Sequence, residues 1–296
     1  MTLPIRVAGA PISWGVCEVP DWGRILHPDF VLGQMARLGL RATELGPPGY
    51  LPGRPAELAD VLDRKGLSLV GGFLAVVLHD TSRADETVHE VERFVDLLAA
   101  ADAGTVVLAA ATGLDGYDRR PDLTADQWRA LVRGAAMIGD VAKDRGIRAV
   151  LHPHVGTHVE RRAEIERFLA ESNLPLCLDT GHLVIGGVDP AELVERHSDR
   201  IGHVHLKDVR SDLADEVRSG RIGYADAVRR GMYVPLGDGD VRIDAVLRRL
   251  CDVGYDGWYV LEQDAILGQR TTEEDDKPLR DNARSIAYLE TVLGEP

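Results

Sequence analysis

The sequence predicts an α/β protein built as a single (β/α)8 TIM barrel. Strand-like apolar segments alternate with helix-like segments along the whole chain, and eight such pairs can be counted. The length of 296 residues is what eight βα units require. A doubly wound open sheet would be expected to carry a glycine-rich phosphate turn after an early strand, and no GxGxxG motif follows the first strand.

Short apolar runs bounded by turn residues predict the strands. Several of these runs are apolar at nearly every position, which is typical of parallel strands with both faces covered. The predicted strands occupy residues 6–13, 41–45, 67–77, 105–111, 147–152, 174–179, 201–206 and 257–261.

Apolar residues at helical spacing predict a helix after each strand. Thr124 with Gln127 resembles a capping box, and Pro190 stands at a first helical position, where a missing N–H costs nothing. Between strand seven and helix seven the chain makes a longer excursion, residues 209–240, with weak helical character around 224–230. The predicted helices are 28–38, 55–65, 85–103, 124–145, 160–172, one from 190 onward, 241–253 and 278–293. All of residues 1–296 are assigned to one domain.

Composition limits the partners and the location. With 34 basic and 48 acidic residues the formal net charge is −14, which disfavours nucleic acid and anionic membranes. No apolar run approaches the ~20 residues of a membrane span, and the first eleven residues do not resemble a signal peptide. Cys17, Cys177 and Cys251 are scattered, which indicates the reducing cytoplasm. The oligomeric state stays open, a homodimer included.

Polar side chains gather at the predicted strand ends, where TIM barrels place their active sites. Alternation along a strand puts His152 with His154 on one face, and His203 with His205 and Lys207 on another. Asp179 and His182 follow strand six, Glu262 follows strand eight, and Trp14 and Glu44 stand near the ends of strands one and two.

Four of these residues form a candidate metal site on strands five to eight: His152, Asp179, His205 and Glu262. Two imidazoles and two carboxylates suit Mn²⁺, Co²⁺, Fe²⁺ or Zn²⁺. A single Asp at a strand end is more often a helix cap, and a single His is usually a satisfied polar group. The joint pattern favours the metal, and whether His152 or His154 is the strand-five ligand stays open.

The motifs around these residues resemble the xylose-isomerase-like barrel superfamily of sugar isomerases and epimerases. HPHVGTH and GWYVLEQD resemble its inosose dehydratase branch more narrowly. The matching segments are PISWG (11–15), ATELGPPGYLP (42–52), LHPHVGTHVE (151–160), LCLDTGH (176–182), HVHLKDVR (203–210), PLGDGD (235–240) and YDGWYVLEQD (255–264).

The resemblance implies a lyase that dehydrates a cyclic polyol ketone with a divalent ion, Mn²⁺ or Co²⁺ before Zn²⁺, Fe²⁺ or Mg²⁺. Asp179, His205 and Glu262 match the superfamily's ligands, whereas His152 stands where most members have a glutamate. Epimerases of this kind use two glutamates on opposite substrate faces, so the imidazole favours elimination. A related zinc endonuclease for damaged DNA shares the DTGH-like and HLKD-like elements, and the net charge argues against that activity.

In this mechanism Glu262 or a nearby histidine removes the α-proton. His154, His182 and His203 are candidates for the general acid, with pKa values expected near neutrality. Lys207, Glu44 and Trp14 are expected to bind the substrate. The alternatives are a metal-dependent keto-sugar isomerase or 3-epimerase, and a sugar-binding barrel without catalysis.

Overall fold

Eight parallel strands close into a barrel in this computed structural model, which describes residues 5–294. Residues 1–4, part of the segment examined for a signal peptide, lie outside that range. Each strand pairs with its neighbour along the chain, and the last pairs with the first to close the barrel. The barrel strands are β1 (Arg6–Gly9), β2 (Ala42–Glu44), β3 (Ser68–Val76), β4 (Thr105–Ala110), β5 (Arg148–Leu151), β6 (Leu176–Asp179), β7 (Ile201–Leu206) and β10 (Trp258–Leu261).

Helices surround the barrel and bury their apolar faces against it. The capping box of Thr124 and Gln127 is present, and Pro190 is the first residue of its helix, both as predicted. The helices are α1 (Pro28–Arg37), α2 (Pro55–Asp63), α3 (Ala84–Ala100), α4 (Ala125–Asp144), α5 (Arg162–Glu171), α6 (Thr180–Ile185), α7 (Pro190–His197), α8 (Ser211–Arg218), α9 (Tyr224–Arg229), α10 (Ile243–Asp252) and α11 (Thr272–Gly294). The predicted TIM barrel is thus confirmed.

The excursion after β7 has more regular structure than the sequence predicted. Besides α9 it contains α8 and a short antiparallel pair, β8 (Asp208–Val209) and β9 (Tyr233–Val234). The carboxylate of Asp208 accepts hydrogen bonds from the backbone N–H groups of Gly237, Gly239 and Val241 at 2.9–3.1 Å. This carboxylate ties the end of the excursion to the barrel.

Two segment boundaries also differ from the prediction. The first strand ends at Gly9, and residues Pro11–Trp14 form a 3-10 turn because proline sets a helical φ and lacks an N–H for the ladder. The last helix begins at Thr272, with Pro278 inside it. Proline there removes one N–H donor, and the helix continues through it.

Candidate active site

A cavity opens to solvent at the carboxyl ends of the barrel strands. One wall is apolar and includes Ala10, Pro11, Ile12, Val16, Pro47 and Phe73. The opposite wall carries most of the polar residues that the sequence singled out. An apolar pocket with a few convergent polar groups is typical of small-molecule sites.

The four predicted metal ligands come together at the polar wall. Asp179 Oδ2 lies 3.3 Å from Nε2 of His152 and 3.6 Å from Nδ1 of His205. The same Nδ1 lies 3.1 Å from Oε2 of Glu262. All four side chains are buried. The donor atoms of Asp179, His205 and Glu262 all lie within 4.8 Å of one another, and His152, the residue after β5, joins this group through Asp179. His152, His205 and Glu262 line the cavity, whereas Asp179 is fully buried beside them.

These distances fit a divalent ion. Two donor atoms that each lie about 2.1 Å from one ion are about 3.0–3.4 Å apart in octahedral or tetrahedral geometry. Nδ1 of His205 is buried, faces the carboxylates of Asp179 and Glu262, and has no hydrogen-bond partner among residues 5–294. A nitrogen that faces two carboxylates requires a positive charge, which either a proton on Nδ1 or a divalent ion can supply.

Glu44 determines which nitrogen of His205 is available to an ion. Its Oε1 lies 2.8 Å from Nε2 of His203 and 3.1 Å from Nε2 of His205. Burial alone would raise the pKa of Glu44, but the two imidazoles outweigh burial and hold the pKa well below its ordinary value. A carboxylate only accepts hydrogen bonds, so both Nε2 atoms carry protons. Burial would lower the pKa of His205, but Cys177, Glu262 and Glu44 outweigh burial and raise it well above its ordinary value. Without an ion Nδ1 is therefore protonated as well, and a divalent ion would replace that proton while Glu44 keeps the one on Nε2.

Asp179 is both a barrel residue and a helix cap. Its Oδ1 accepts a 2.8 Å hydrogen bond from the backbone N–H of His182 and caps α6, which the sequence did not predict. The cap interpretation and the ligand interpretation are therefore compatible, because the two carboxylate oxygens face different partners. The cap fixes the orientation of Oδ2 toward His152 and His205.

His154 presents a free nitrogen to the cavity. Its Nδ1 lies 2.7 Å from the carbonyl oxygen of Val155, which can only accept, so Nδ1 carries the proton and Nε2 the lone pair. The ring packs against Phe73 and Tyr117, with centroid distances of 5.6 and 5.5 Å. Gly156 makes the close approach of Tyr117 possible: its φ is +79°, and a Cβ there would lie 2.6 Å from the Tyr117 backbone.

The candidate acid–base histidines are neutral at pH 7. Burial lowers the pKa of His154 and of His182 well below the ordinary value for imidazole. Burial also lowers the pKa of His203, although the Glu44 carboxylate opposes this effect. The expected pKa near neutrality is wrong for these rings, because the sequence did not show how completely the loops cover them.

Several predicted residues lie outside the cavity lining. Trp14 is fully buried in the core, where its indole N–H donates to Gln34 at 2.6 Å. The 3-10 turn after β1 directs it there, so we remove Trp14 from the substrate site. His203 lies beneath Glu44, and His182 lies behind His154 at a ring-centroid distance of 3.8 Å. These two histidines support cavity residues from outside the lining.

Sequence reasoning missed four residues of the site: Glu18, Asp264, Tyr117 and Tyr224. Asp264 lies two positions after Glu262 and lines the same wall, a spacing that alternation could have revealed. Tyr117 and Tyr224 come from loops and the excursion. Their hydroxyls contact Glu18 at 3.2 Å and Asp264 at 2.6 Å, respectively. No periodic signal marks Tyr117, and the weak helical character around 224–230 does not indicate that the Tyr224 hydroxyl reaches the site.

The charge of the lining restricts the ligand. Glu18, Glu44, Glu262 and Asp264 contribute four carboxylates, and Lys207 contributes the ammonium group. Among the described residues no arginine lines the cavity. Burial opposes the charge on Lys207, but neighbouring carboxylates outweigh burial and raise the pKa of the ammonium group. The surplus of negative charge favours uncharged ligands over anions.

Comparisons with known proteins agree with this architecture. The family model described as xylose isomerase-like TIM barrel matches residues 32–289. An inosose dehydratase of Geobacillus kaustophilus is 35% identical over 270 residues, which cover 88% of this chain and 87% of that protein. The chain therefore belongs to the xylose isomerase-like TIM barrel family. Within it, the chain resembles the inosose dehydratases, and this supports a dehydratase.

Solved structures share the fold at low identity. The structure of a probable 3-DHS dehydratase from Bacillus anthracis superposes with a TM-score of 0.70 at 18% identity, covering 96% of this chain and 99% of that one. A D-allulose 3-epimerase from Methylomonas sp. superposes with a TM-score of 0.69 at 18% identity, covering 98% and 99%. In residues 5–294 no helix combines the length and apolar character needed to cross a bilayer.

Proposed function

We propose that the protein is a metal-dependent lyase that removes water from an uncharged cyclic polyol ketone, inosose or a close analogue. The observation that carries the proposal is the meeting of the four donor side chains beside the free nitrogen of His154. The similarity to inosose dehydratases across 88% of the chain supports the choice of substrate.

His152, Asp179, His205 and Glu262 would hold the divalent ion. Mn²⁺ or Co²⁺ suits this mixed nitrogen and oxygen set, with Zn²⁺, Fe²⁺ and Mg²⁺ as alternatives. When bound, the ion supplies a Lewis acid that stabilises negative charge developing on a substrate oxygen. Glu44 holds His205 in the tautomer that this role requires.

His154 is the base that removes the α-proton. Its Nε2 is unprotonated, its pKa is lowered by burial, and the ring lines the cavity. After proton transfer the imidazolium becomes the acid that protonates the departing β-hydroxyl. One C–H and one C–O bond break, a C–C double bond forms, and water leaves. Glu262, which we first considered as the base, is instead assigned to the ion.

Lys207 and the carboxylates select the substrate. The ammonium group can donate a hydrogen bond to a substrate hydroxyl or ketone oxygen, whereas Glu18 and Glu44 can accept from hydroxyls. The lining offers no arginine fork for a carboxylate or phosphate among the described residues. We therefore infer a neutral polyol ketone as the substrate. The net charge of −14 supports the proposal of no nucleic-acid partner, and the scattered cysteines support the proposal of a cytoplasmic enzyme. A homodimer also remains a proposal.

The test compares substrates by proton NMR with Mn²⁺-loaded protein: inosose, D-allulose and 3-dehydroshikimate. Dehydration of inosose alone is expected. His154→Gln should lower kcat at least about 100-fold, because it removes the base. The control is His158→Gln, a histidine of the same loop that lies outside the cavity. Epimerisation of the ketose without elimination would favour an isomerase, and binding without reaction would favour a sugar-binding barrel.

A further inference from the structure

The ammonium group of Lys207 lies between two sets of carboxylates. Its Nζ is 3.1 Å from Glu262 Oε2 and 3.6 Å from Asp179 Oδ2, and both oxygens belong to the proposed ligand set. On the other side Nζ is 2.6 Å from Asp264 Oδ1. Nζ also lies 3.2 Å from Nε2 of His182. The shortest of these four contacts is therefore to the carboxylate that is not a proposed ligand.

An ammonium group beside ligand oxygens competes with a divalent ion. Both are cations that bind the same lone pairs, and close positive charges repel each other strongly at a buried site. A group that holds Lys207 away from Glu262 and Asp179 therefore strengthens ion binding. Asp264 is in position to do this.

The excursion after β7 orients Asp264. Its second oxygen, Oδ2, accepts a 2.6 Å hydrogen bond from the hydroxyl of Tyr224, which is 2.8 Å from the hydroxyl of Tyr233. Both tyrosines are buried, and Nζ of Lys207 lies 5.4 Å from the centre of the Tyr233 ring. The backbone N–H of Tyr224 donates in turn to Asp118 at 2.8 Å.

We propose that Asp264, held by Tyr224, is a positioning residue that draws Lys207 out of the ligand set and thereby sets the affinity of the site for its divalent ion. This inference rests on the proposed ion site and does not depend on which substrate reacts. It gives the excursion a role: α9 and β9 supply the tyrosines that fix the Asp264 carboxylate beside Lys207.

The test is a cycle of Mn²⁺ dissociation constants measured by titration calorimetry on the full-length wild type, Asp264→Asn, Lys207→Met and the double variant. In the wild-type background Asp264→Asn should weaken Mn²⁺ binding about tenfold. In the Lys207→Met background the same change should alter the Mn²⁺ dissociation constant less than about twofold, because no ammonium group remains that Asp264 could hold away from Glu262 and Asp179. Tyr224→Phe should weaken binding about threefold, since Asp264 loses one hydrogen bond.

Direct attraction between Asp264 and the ion would give equal losses in both backgrounds, and that result overturns the proposal. Glu18→Gln removes another cavity carboxylate, one that does not contact Lys207, and should leave the Mn²⁺ affinity within about twofold. Circular dichroism of each variant checks the fold. Wild type that binds no Mn²⁺ would overturn the ion site together with this inference. Tight Mn²⁺ binding without dehydration of inosose would contradict only the proposed substrate. The four Mn²⁺ dissociation constants would still test the role of Asp264.

Discussion

Removal of the Glu44 carboxylate is expected to weaken metal binding although Glu44 is not a proposed ligand. In the wild type its Oε1 accepts from Nε2 of His205 at 3.1 Å and from Nε2 of His203 at 2.8 Å. An ion displaces the proton on Nδ1, the nitrogen that faces Asp179 and Glu262, and the neutral ring must then keep its remaining proton on Nε2. Without the Glu44 acceptor nothing holds that proton on Nε2 or fixes the orientation of the ring.

The magnitude follows from the role of such supporting hydrogen bonds. Loss of the partner of a ligating histidine costs about 10–100-fold in metal affinity, or about 1.4–2.7 kcal/mol. We expect Glu44→Ala to fall in this range. Glu44→Gln keeps a neutral oxygen acceptor of the same shape, so its loss should be smaller, about threefold.

The assay is competition with a fluorescent chelator for Mn²⁺, and thermal unfolding serves as the check on folding. Glu18→Gln is the matched control, because it removes a carboxylate from the same cavity without touching a proposed ligand. A dissociation constant for Glu44→Ala within twofold of the wild type would refute the tautomer argument. So would a larger loss in Glu44→Gln than in Glu44→Ala.

Three further predictions concern the ion and the loops. Asp179→Asn should abolish measurable Mn²⁺ binding and lower kcat at least about 100-fold, and retention of either would remove Asp179 from the site. EDTA should lower the midpoint of thermal unfolding. Mn²⁺ at 100 times its Kd should then raise the free energy of unfolding by about 2.7 kcal/mol. A midpoint that responds to neither reagent would argue against a bound ion. Burial, with a smaller effect of His79, lowers the pKa of His158 to about 4, so the unfolded chain takes up a proton between pH 6.5 and 4 that the folded protein excludes. The free energy of unfolding should therefore fall across that window by about 1–2 kcal/mol more in the wild type than in His158→Gln. Urea denaturation of both proteins at pH 7 and pH 4.5 measures this difference. An equal fall in the two proteins would contradict the prediction.

The barrel was predictable because its strands are continuous apolar runs that end abruptly in polar residues. The same feature placed His152, Asp179, His205 and Glu262 at one end of the barrel before any contact was known, since parallel strands of a closed barrel share one carboxyl edge. In the structure Asp179, His205 and Glu262 lie together, and His152 contacts Asp179.

Features that depend on loops were not predictable in this way. Trp14 was taken for a strand-end residue because the apolar run continues through it, but Pro11 starts a 3-10 turn that directs the indole into the core. Helix α6 was missed because it is short and its cap, Asp179, is also the last residue of a strand. Tyr117 stands in a loop without periodicity, and the weak helical pattern around Tyr224 does not show which way its hydroxyl points, so only the folded structure reveals these two residues.

The most direct test of the central claim is proton NMR of the Mn²⁺-loaded protein with 2-keto-myo-inositol in D₂O, beside a sample treated with EDTA. The account predicts loss of substrate and appearance of a dehydrated dione in the loaded sample alone. Deuterium incorporation next to the ketone without loss of water would be consistent with the proposed base and ion site. It would contradict the proposed dehydratase activity. Equal turnover in the EDTA-treated sample would contradict the metal-dependent mechanism itself.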